Sequence, residues 1–428
     1  MRGQHAPVSP PPADSTPVVR LGDIYQEVER ANPRVSAARS LAQAAQARVP
    51  SATRPPDPQL QLGFMNYSVP NLAPMATLGM TQLQVMQMLP LGGKLALAGR
   101  VAGAQASATA ERANDVVWDL HGQTAMAFYD LYAADRELDV ARETLRLLQD
   151  IEKTAESMYR VGQGRQADVL RAQVELAKMA EDTLRMQAMR QSMTARLNAL
   201  ADRASDAAVG TPALPLFPDT IPDRASLEAI ALGDRPMIRA GLDDVRAADA
   251  SRQLARKEIW PDLQVGVQYA QRGADMGGGT ERMGSLMLGA SIPVFARDRQ
   301  LRMREEAGAM KQMAEADLAS MRADTRGRIG EAYANLLRAR NLARLYRTTV
   351  LPQAEATAAS ALSGYRVGGV DFMTMLGDRM TVNTFKQELF ALNADEGKAW
   401  AELEMLTGHA LFDPNRMAVA AEAVGGAK

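Results

Sequence analysis

Few side chains in this sequence are arranged for bond-making chemistry. There is no Cys, which removes thiolate nucleophiles, disulfides and Cys-based metal sites. The three His residues, His5, His121 and His409, lie far apart, and no pair has helical ligand spacing. There is no Gly-rich phosphate loop. An enzyme needs titratable groups converging on a pocket; the sequence offers no such set, so neither catalysis nor a cofactor is expected. What it does offer is recognition chemistry. Tyr159-Arg160-Val161-Gly162 recurs 206 residues later as Tyr365-Arg366-Val367-Gly368. A guanidinium can donate several hydrogen bonds to a partner's carbonyls or carboxylates. A Val can bury a small apolar contact, and a Gly lets another backbone approach. An Arg at a helix end also favours its own helix dipole. A turn needs only the Gly, however, so the recurrence of Arg and Val beside it favours docking. The second chemistry is that of soft ligands. The chain has 25 Met, and Met65, Met75, Met80, Met86 and Met88 crowd one short region. Thioether sulfur suits Cu(I) or Ag(I), although Met is also an ordinary apolar filler.

Both copies of the Tyr-Arg-Val-Gly motif sit between long Ala-rich helical patterns, and Gly is a natural helix stop. Each reads as the tip of a helical hairpin. From Lys94 to Tyr159 there is no Pro, which permits a helix of roughly 100 Å. Leu120, Ala127, Ala134, Ala141, Leu148 and Ala155 step by seven, as do Val117, Thr124, Leu131, Leu138 and Leu145. That is the period of a coiled-coil seam, and its many Ala residues imply closely packed neighbours. The helix returns over about Gln166 to Asp202. A Pro-rich linker follows.

The chain then starts again. Arg235-Pro236, Leu263-Gln264-Val265-Gly266 and Ile292-Pro293-Val294 stand 203 residues after Asn32-Pro33, Leu60-Gln61-Leu62-Gly63 and Leu89-Pro90-Leu91. One offset held over some 60 residues marks an internal duplication. Each half has a short helix, a second helix, a strand pair with period-two alternation and a long helical hairpin. The expected strands are Gln59–Met65, Thr77–Leu89, Asp262–Ala270 and Ser285–Ile292, with a polar loop from Gly273 to Arg282. Pro352 should bend the second long helix. The expected layout is a disordered segment over 1–20, a first repeat over 21–209 (strand pair 59–89, tip 159–165) and a linker over 210–225. A second repeat over 226–408 (strand pair 262–292, tip 365–371) and a tail over 409–428 complete it.

The net charge of −1, from 49 basic and 50 acidic residues, gives no basic face for nucleic acid. No run of about 18 apolar residues exists to form a transmembrane helix. Met1 to Pro17 lacks the apolar core of a signal peptide. The strands have one apolar face each, and two hairpins cannot bury that face alone. Either the faces pack on the chain's own helices, or several chains close a membrane barrel with lipid outside and water inside. Phe64, Tyr67, Trp260 and Tyr269 near strand ends suit a membrane interface.

This layout, with Tyr-x-x-Gly at each tip, resembles the TolC-like outer-membrane factors. Val350-Leu351-Pro352-Gln353-Ala354-Glu355, leading to Tyr365-Arg366-Val367-Gly368 and Met375-Leu376, looks like that family's second-repeat signature. The resemblance covers about Leu21 to Gly408. It implies a mixed α+β membrane protein: a homotrimer whose helical hairpins form an α-barrel tunnel across the periplasm. Four strands per chain would build a 12-stranded transmembrane β-barrel in outer-membrane lipid. It also implies partners, a periplasmic adaptor (membrane fusion protein) and an inner-membrane pump of the resistance-nodulation-division type. In the family, carboxylates after the second tip narrow the tunnel entrance. The matching positions here are Thr374 and Gly377, so that ring is not reproduced. Asp371 and Asp378 lie close by, and Asp168 holds the equivalent place after the first tip. Repeated around an axis these would favour cations, and each equally suits a solvated helix start.

The expected function is therefore an efflux conduit. Met86-Gln87-Met88-Leu89-Pro90-Leu91-Gly92-Gly93-Lys94 looks similar to members linked to heavy-metal efflux, which makes copper or silver one candidate cargo. Drugs or a type I secreted protein are the other. A soluble coiled-coil scaffold would explain the helices but not the twice-repeated amphipathic strands.

Overall fold

The computed structural model describes residues 17–71, 73–75, 79–272 and 279–416. It separates into two units. One contains residues up to Ser36, Asp115–Arg235 and those from Thr325 onward; the other contains Ala37–Asn114 and Pro236–Asp324.

In chain order the elements are β1 (Val18–Val19), α1 (Leu21–Ala31), α2 (Pro33–Ala52), β2 (Gln59–Met65), β3 (Tyr67–Ser68), β4 (Ala73–Pro74) and β5 (Met80–Leu89). Next come α3 (Lys94–Arg160), α4 (Gln166–Leu200), β6 (Thr211–Pro212), α5 (Arg224–Asp234) and α6 (Pro236–Lys257). Last are β7 (Asp262–Arg272), β8 (Glu281–Ser291), α7 (Gln300–Leu345), a π-helical turn (Tyr346–Val350), α8 (Leu351–Arg366) and α9 (Phe372–Thr407). The order α1, α2, β2, β5, α3, α4 is repeated by α5, α6, β7, β8, α7–α8, α9, as the constant offset in the sequence requires.

The strand-bearing unit is built on one four-stranded antiparallel sheet of order β2-β5-β7-β8. Its register aligns the alternation of all four strands. Leu62 pairs Leu83, Leu83 pairs Tyr269, and Val85 pairs Val267, which pairs Leu286. One face therefore carries Leu60, Leu62, Phe64, Leu83, Val85, Val267, Tyr269, Leu286 and Leu288, all of them exposed. The opposite face carries Gln59, Gln61, Gln82, Gln84, Gln264, Gln268, Ser285 and Ser291. Among the described residues the outer edges of β2 and β8 pair with nothing. Lys94 ties the two repeats together: its buried ammonium donates to the Trp260 carbonyl at 2.9 Å and to Asp262 at 2.8 Å.

The helical unit buries the seams that the heptads predict. Leu120, Ala127, Ala134, Ala141, Leu148 and Ala155 are all no more than 4% exposed. Leu21, Ile24, Tyr25 and Val28 form one face of α1 and join Leu120, Phe128, Leu131, Leu197 and Ala401 in a single core. The pattern i, i+3, i+4, i+7 is what places them together. In the second repeat Leu227 and Ala231 of α5 do the same with Ile329, Leu336, Trp400, Leu403 and Leu406.

Four expectations are corrected. Val18 and Val19, assigned to the disordered segment 1–20, form β1 and pair in parallel with Thr211 and Pro212 of the supposed linker. Residues 1–16 lie outside the described residues, as do 77–78 of the expected second strand, 273–278 of the expected loop and 417–428 of the tail. Strand β8 begins at Glu281, inside the expected loop, where Arg272 pairs with Glu281 at 2.6 Å across the ladder. The segment after Gly408 is not a free tail, because Phe412 is buried in the second-repeat core. Finally, Pro352 does not stand alone as a bend: Tyr346–Val350 form a π-turn just before it. A widened turn relieves the ring clash and the missing amide donor.

The docked C-terminal segment is held by Glu404, whose Oε1 accepts the backbone N–H of Leu411 at 2.7 Å and of Phe412 at 3.3 Å. Burial pushes this carboxyl up to about 7, against the pull of those two donors. The folded state thus holds the proton more tightly than the unfolded chain. The resulting stabilisation is complete below the ordinary Glu value and is lost as pH rises through the folded one, on the order of 3 kcal/mol in all. The thermal midpoint of the helical unit should fall between about pH 5 and about pH 8. Glu404→Gln, which keeps the acceptor, should remove most of that fall in a circular-dichroism melt. An unchanged slope would contradict this assignment.

Candidate functional site

The repeated motif lies at the two helix-to-helix turns of the helical unit, and the backbone explains the shared Gly. Gly162 and Gly368 have φ of 77° and 74°, a left-handed conformation that costs other residues about 1 kcal/mol or more. Their amides turn back onto the helix ends: Gly162 N–H donates to the Tyr159 carbonyl and Gly368 N–H to the Tyr365 carbonyl, both at 3.0 Å. Gln163 and Gly164 then bond to the Met158 carbonyl, while Gly369 and Val370 bond to that of Gly364. Val161 and Val367 project into solvent, at 70% and 83% exposure, so neither is needed to fold its own tip.

The other motif residues differ between the copies. Arg160 pairs with Glu156 one turn back at 2.9 Å. The equivalent position in the second copy is Leu362, and Arg366 makes no ion pair among the described residues. Tyr159 is half-exposed, whereas Tyr365 is 6% exposed. Tyr365 packs edge-on against Phe372 with ring centroids 5.7 Å apart. It joins Leu148, Ile151, Met375 and Leu376 in a core between the two hairpins. The four-letter match therefore conceals one tip whose Tyr is structural and whose Arg is free, and another in which these roles are reversed.

The two tips adjoin, enclosing a cleft of about 320 Å³ lined by Arg165, Asp168, Arg171, Tyr365, Asp371 and Phe372, among others. Asp168 lies in the first turn of α4. It adds to burial in raising the Tyr365 hydroxyl above its ordinary pKa. Asp371 caps α9, accepting the N–H of Met373 at 2.9 Å, the N–H of Thr374 at 3.1 Å and the Thr374 hydroxyl at 2.6 Å. The Thr374 hydroxyl, followed by these backbone donors, holds the Asp371 carboxyl below the usual range. Asp378 does not line this cleft. A Cβ added at Gly377 would meet nothing within 4 Å.

Sequence reasoning did not find Arg165 and Arg171, which set two cations beside Asp168 and Asp371. They carry no repeated spacing that would have drawn attention. His121 pairs with Glu29 and His409 with Asp234; His5 lies outside the described residues. Among the described residues no three His, Cys, Asp or Glu converge to hold a metal ion.

The sequence profile of the outer membrane efflux protein family matches residues 24–202 and 229–409, one match in each repeat. No curated protein matches the sequence. Among solved structures, the chain is similar to CusC with a TM-score of 0.78 at 17% identity, covering 91% of this chain and 92% of that one. It is similar to the outer membrane protein VceC of Vibrio cholerae with a TM-score of 0.77 at 17% identity, covering 91% and 96%. For the open state of the MtrE outer membrane channel of Neisseria gonorrhoeae the TM-score is 0.76 at 15% identity, covering 92% and 89%. At these identities the likeness is one of fold.

The asymmetry of the tips has a measurable consequence. Tyr365→Ala empties a buried, ring-packed position and should cost about 3 kcal/mol of stability, as large aromatic truncations in cores do. Tyr159→Ala should cost less than about 1 kcal/mol. Equal losses in denaturant melts would show that the tips are equivalent after all.

Proposed function

The chain belongs to the outer membrane efflux protein family, and from that premise we propose that three copies form the outer-membrane channel of a tripartite efflux system. The chain is then a conduit and not an enzyme: it supplies a lined path, and transport energy comes from elsewhere. Three copies of the four-stranded sheet supply twelve strands, an even number that closes antiparallel with no edge left over. The apolar faces meet lipid, and the Gln-bearing faces line the aqueous lumen. The helical hairpins of the three chains join as an α-barrel in the periplasm. Their tips receive a periplasmic adaptor, which links the channel to an inner-membrane pump of the resistance-nodulation-division type.

The observation that carries this reading is the uncovered sheet. Nine large apolar side chains stand exposed on one face of a sheet with two bare edges. In water each would forfeit about 1 kcal/mol or more of burial. Their sum rivals the net stability of a whole domain. Lipid removes that cost, provided that every backbone donor and acceptor is paired, and closure does this. The paired helical seams support the rest, since a surface of small Ala side chains lets neighbouring helices lie close.

At the tips the two exposed Val residues and the free Arg366 are the contacts offered to the adaptor. Two tips in each of three chains suit a ring of six adaptor hairpins. Asp168, Asp371 and Asp378, repeated around the axis, place carboxylates near the entrance. For cargo we propose Cu(I) or Ag(I), supported by the abundance of Met; organic toxins or a secreted protein are the competing cargoes. The test is a deletion strain without a redundant channel, complemented by the intact chain or by variants. Loss of the gene should sensitise cells to copper or silver more than to organic toxins, and the protein should fractionate with the outer membrane. Arg366→Ala should lower adaptor crosslinking more than Arg160→Ala, without loss of protein from that membrane. Unchanged metal tolerance would refute the cargo, and full crosslinking in both variants would move docking elsewhere.

A further inference from the structure

The sheet register sorts the methionines. The four strands contain Met65, Met80, Met86, Met88, Met283 and Met287. All six fall on the Gln-bearing face, and the apolar face has none. Residues used only as apolar filler would sit where Leu, Val and Phe already sit. Here the thioethers share their face with amides and hydroxyls.

Two of them are brought together. Met86 of β5 pairs with Gly266 of β7, and Gly266 pairs with Met287 of β8. The three residues form one cross-strand row, Met–Gly–Met. Two strand spacings separate the outer backbones, about 10 Å. The centre of the row has no side chain to keep the thioethers apart. A Cβ on Gly266 would lie 3.2 Å from the Met86 Cγ and 3.6 Å from the Met287 Cβ, so Met86 leans over the glycine and the Met287 side chain starts beside it. Gly266 is buried, as is Ala270 four residues on along the same face. Met88 is the next residue of β5 on the same face, and Gln264 and Gln268 flank Gly266 along β7.

We propose that Met86 and Met287, meeting across Gly266, form a two-thioether site for a soft monovalent cation, Cu(I) or Ag(I). The proposal rests on the conduit reading, which makes this face the wetted lumen. Neutral sulfur donors select such ions over the harder cations that carboxylates and carbonyls favour. Two neutral ligands bind without charge neutralisation, which suits a station that must also release its ion. The other thioether pair, Met65 with Met80, continues its row through Arg272 to Glu281, an ion pair that adds no soft donor. A Leu at either position would fill the gap over Gly266 about as well as Met does. The sulfur is therefore separable from the packing.

The test uses the full chain in detergent, loaded with Cu(I) anaerobically against a competing Cu(I) chelator and examined by X-ray absorption. Because the chain has no Cys, any copper–sulfur scattering comes from methionine. The intact chain should hold Cu(I) with sulfur neighbours. Met86→Leu with Met287→Leu should weaken binding at least about 100-fold, given that loss of even an outer-shell partner costs 10–100-fold. Met65→Leu with Met80→Leu should leave binding unchanged. Copper that is not retained, or retained equally by the Met86 and Met287 double variant, overturns the site. So does loss of binding only in the Met65 and Met80 variant. Fractionation of the same proteins with the outer membrane as trimers reads the conduit separately. A trimer there without copper–sulfur scattering overturns the site alone, and absence of the trimer overturns the conduit reading beneath it.

Discussion

A strand pair that alternates Leu, Val and Phe with Gln and Ser must show one face to something apolar and the other to water. In this chain that constraint is doubled by repeat and fixed by register. Leu62, Leu83 and Tyr269 share one row, Val85, Val267 and Leu286 another, and among the described residues no helix covers them. The bare edges of β2 and β8 add unpaired backbone to uncovered side chains. Closure with further copies and insertion in lipid answer both problems at once.

The helical unit obeys a different rule, close packing of small side chains. Leu120, Ala127, Ala134, Ala141, Leu148 and Ala155 are buried within one chain, and the short helices α1 and α5 cap equivalent places in the two repeats. Equivalence stops at detail. Glu404 in α9 secures the C-terminal segment through two backbone amides. At the tips, Glu156 occupies Arg160 while Leu362 leaves Arg366 free. Duplication gave the two hairpins one backbone, and substitution divided their side-chain roles.

Much of this was legible in the sequence because it is periodic. Helix spans, the four strands and the repeat followed from heptads, alternation and one constant offset. Several features were not legible, for a common reason: each depends on contacts between residues remote in sequence. Val18 finds Thr211, Phe412 finds the core of α5, α7 and α9, and Lys94 finds Asp262. In the second strand Met86 and Met88 interrupt the alternation as long as Met is read as apolar. Cross-strand pairing restores it, with Met86 and Met88 on the Gln face. The candidate site was half legible. The shared Gly residues announced the tips, but which Tyr is buried and which Arg is free depended on Phe372 and Glu156.

The central claim is that β8 of one chain pairs with β2 of the next. The absence of Cys makes this directly measurable by engineered disulfides. Gln61→Cys in β2 would be combined in turn with Ser285→Cys, Met287→Cys or Gly289→Cys in β8, positions on the same face of the sheet. Directly opposed residues of paired strands have Cβ atoms about 4.5–5.5 Å apart, closest in non-hydrogen-bonded pairs, near the separation of about 3.5–4.5 Å in a disulfide. Oxidation of outer membranes should give a covalent trimer in denaturing gels for one combination, reverting to monomer on reduction. Monomer alone in every combination, with the protein folded and in the membrane, would contradict the closed barrel.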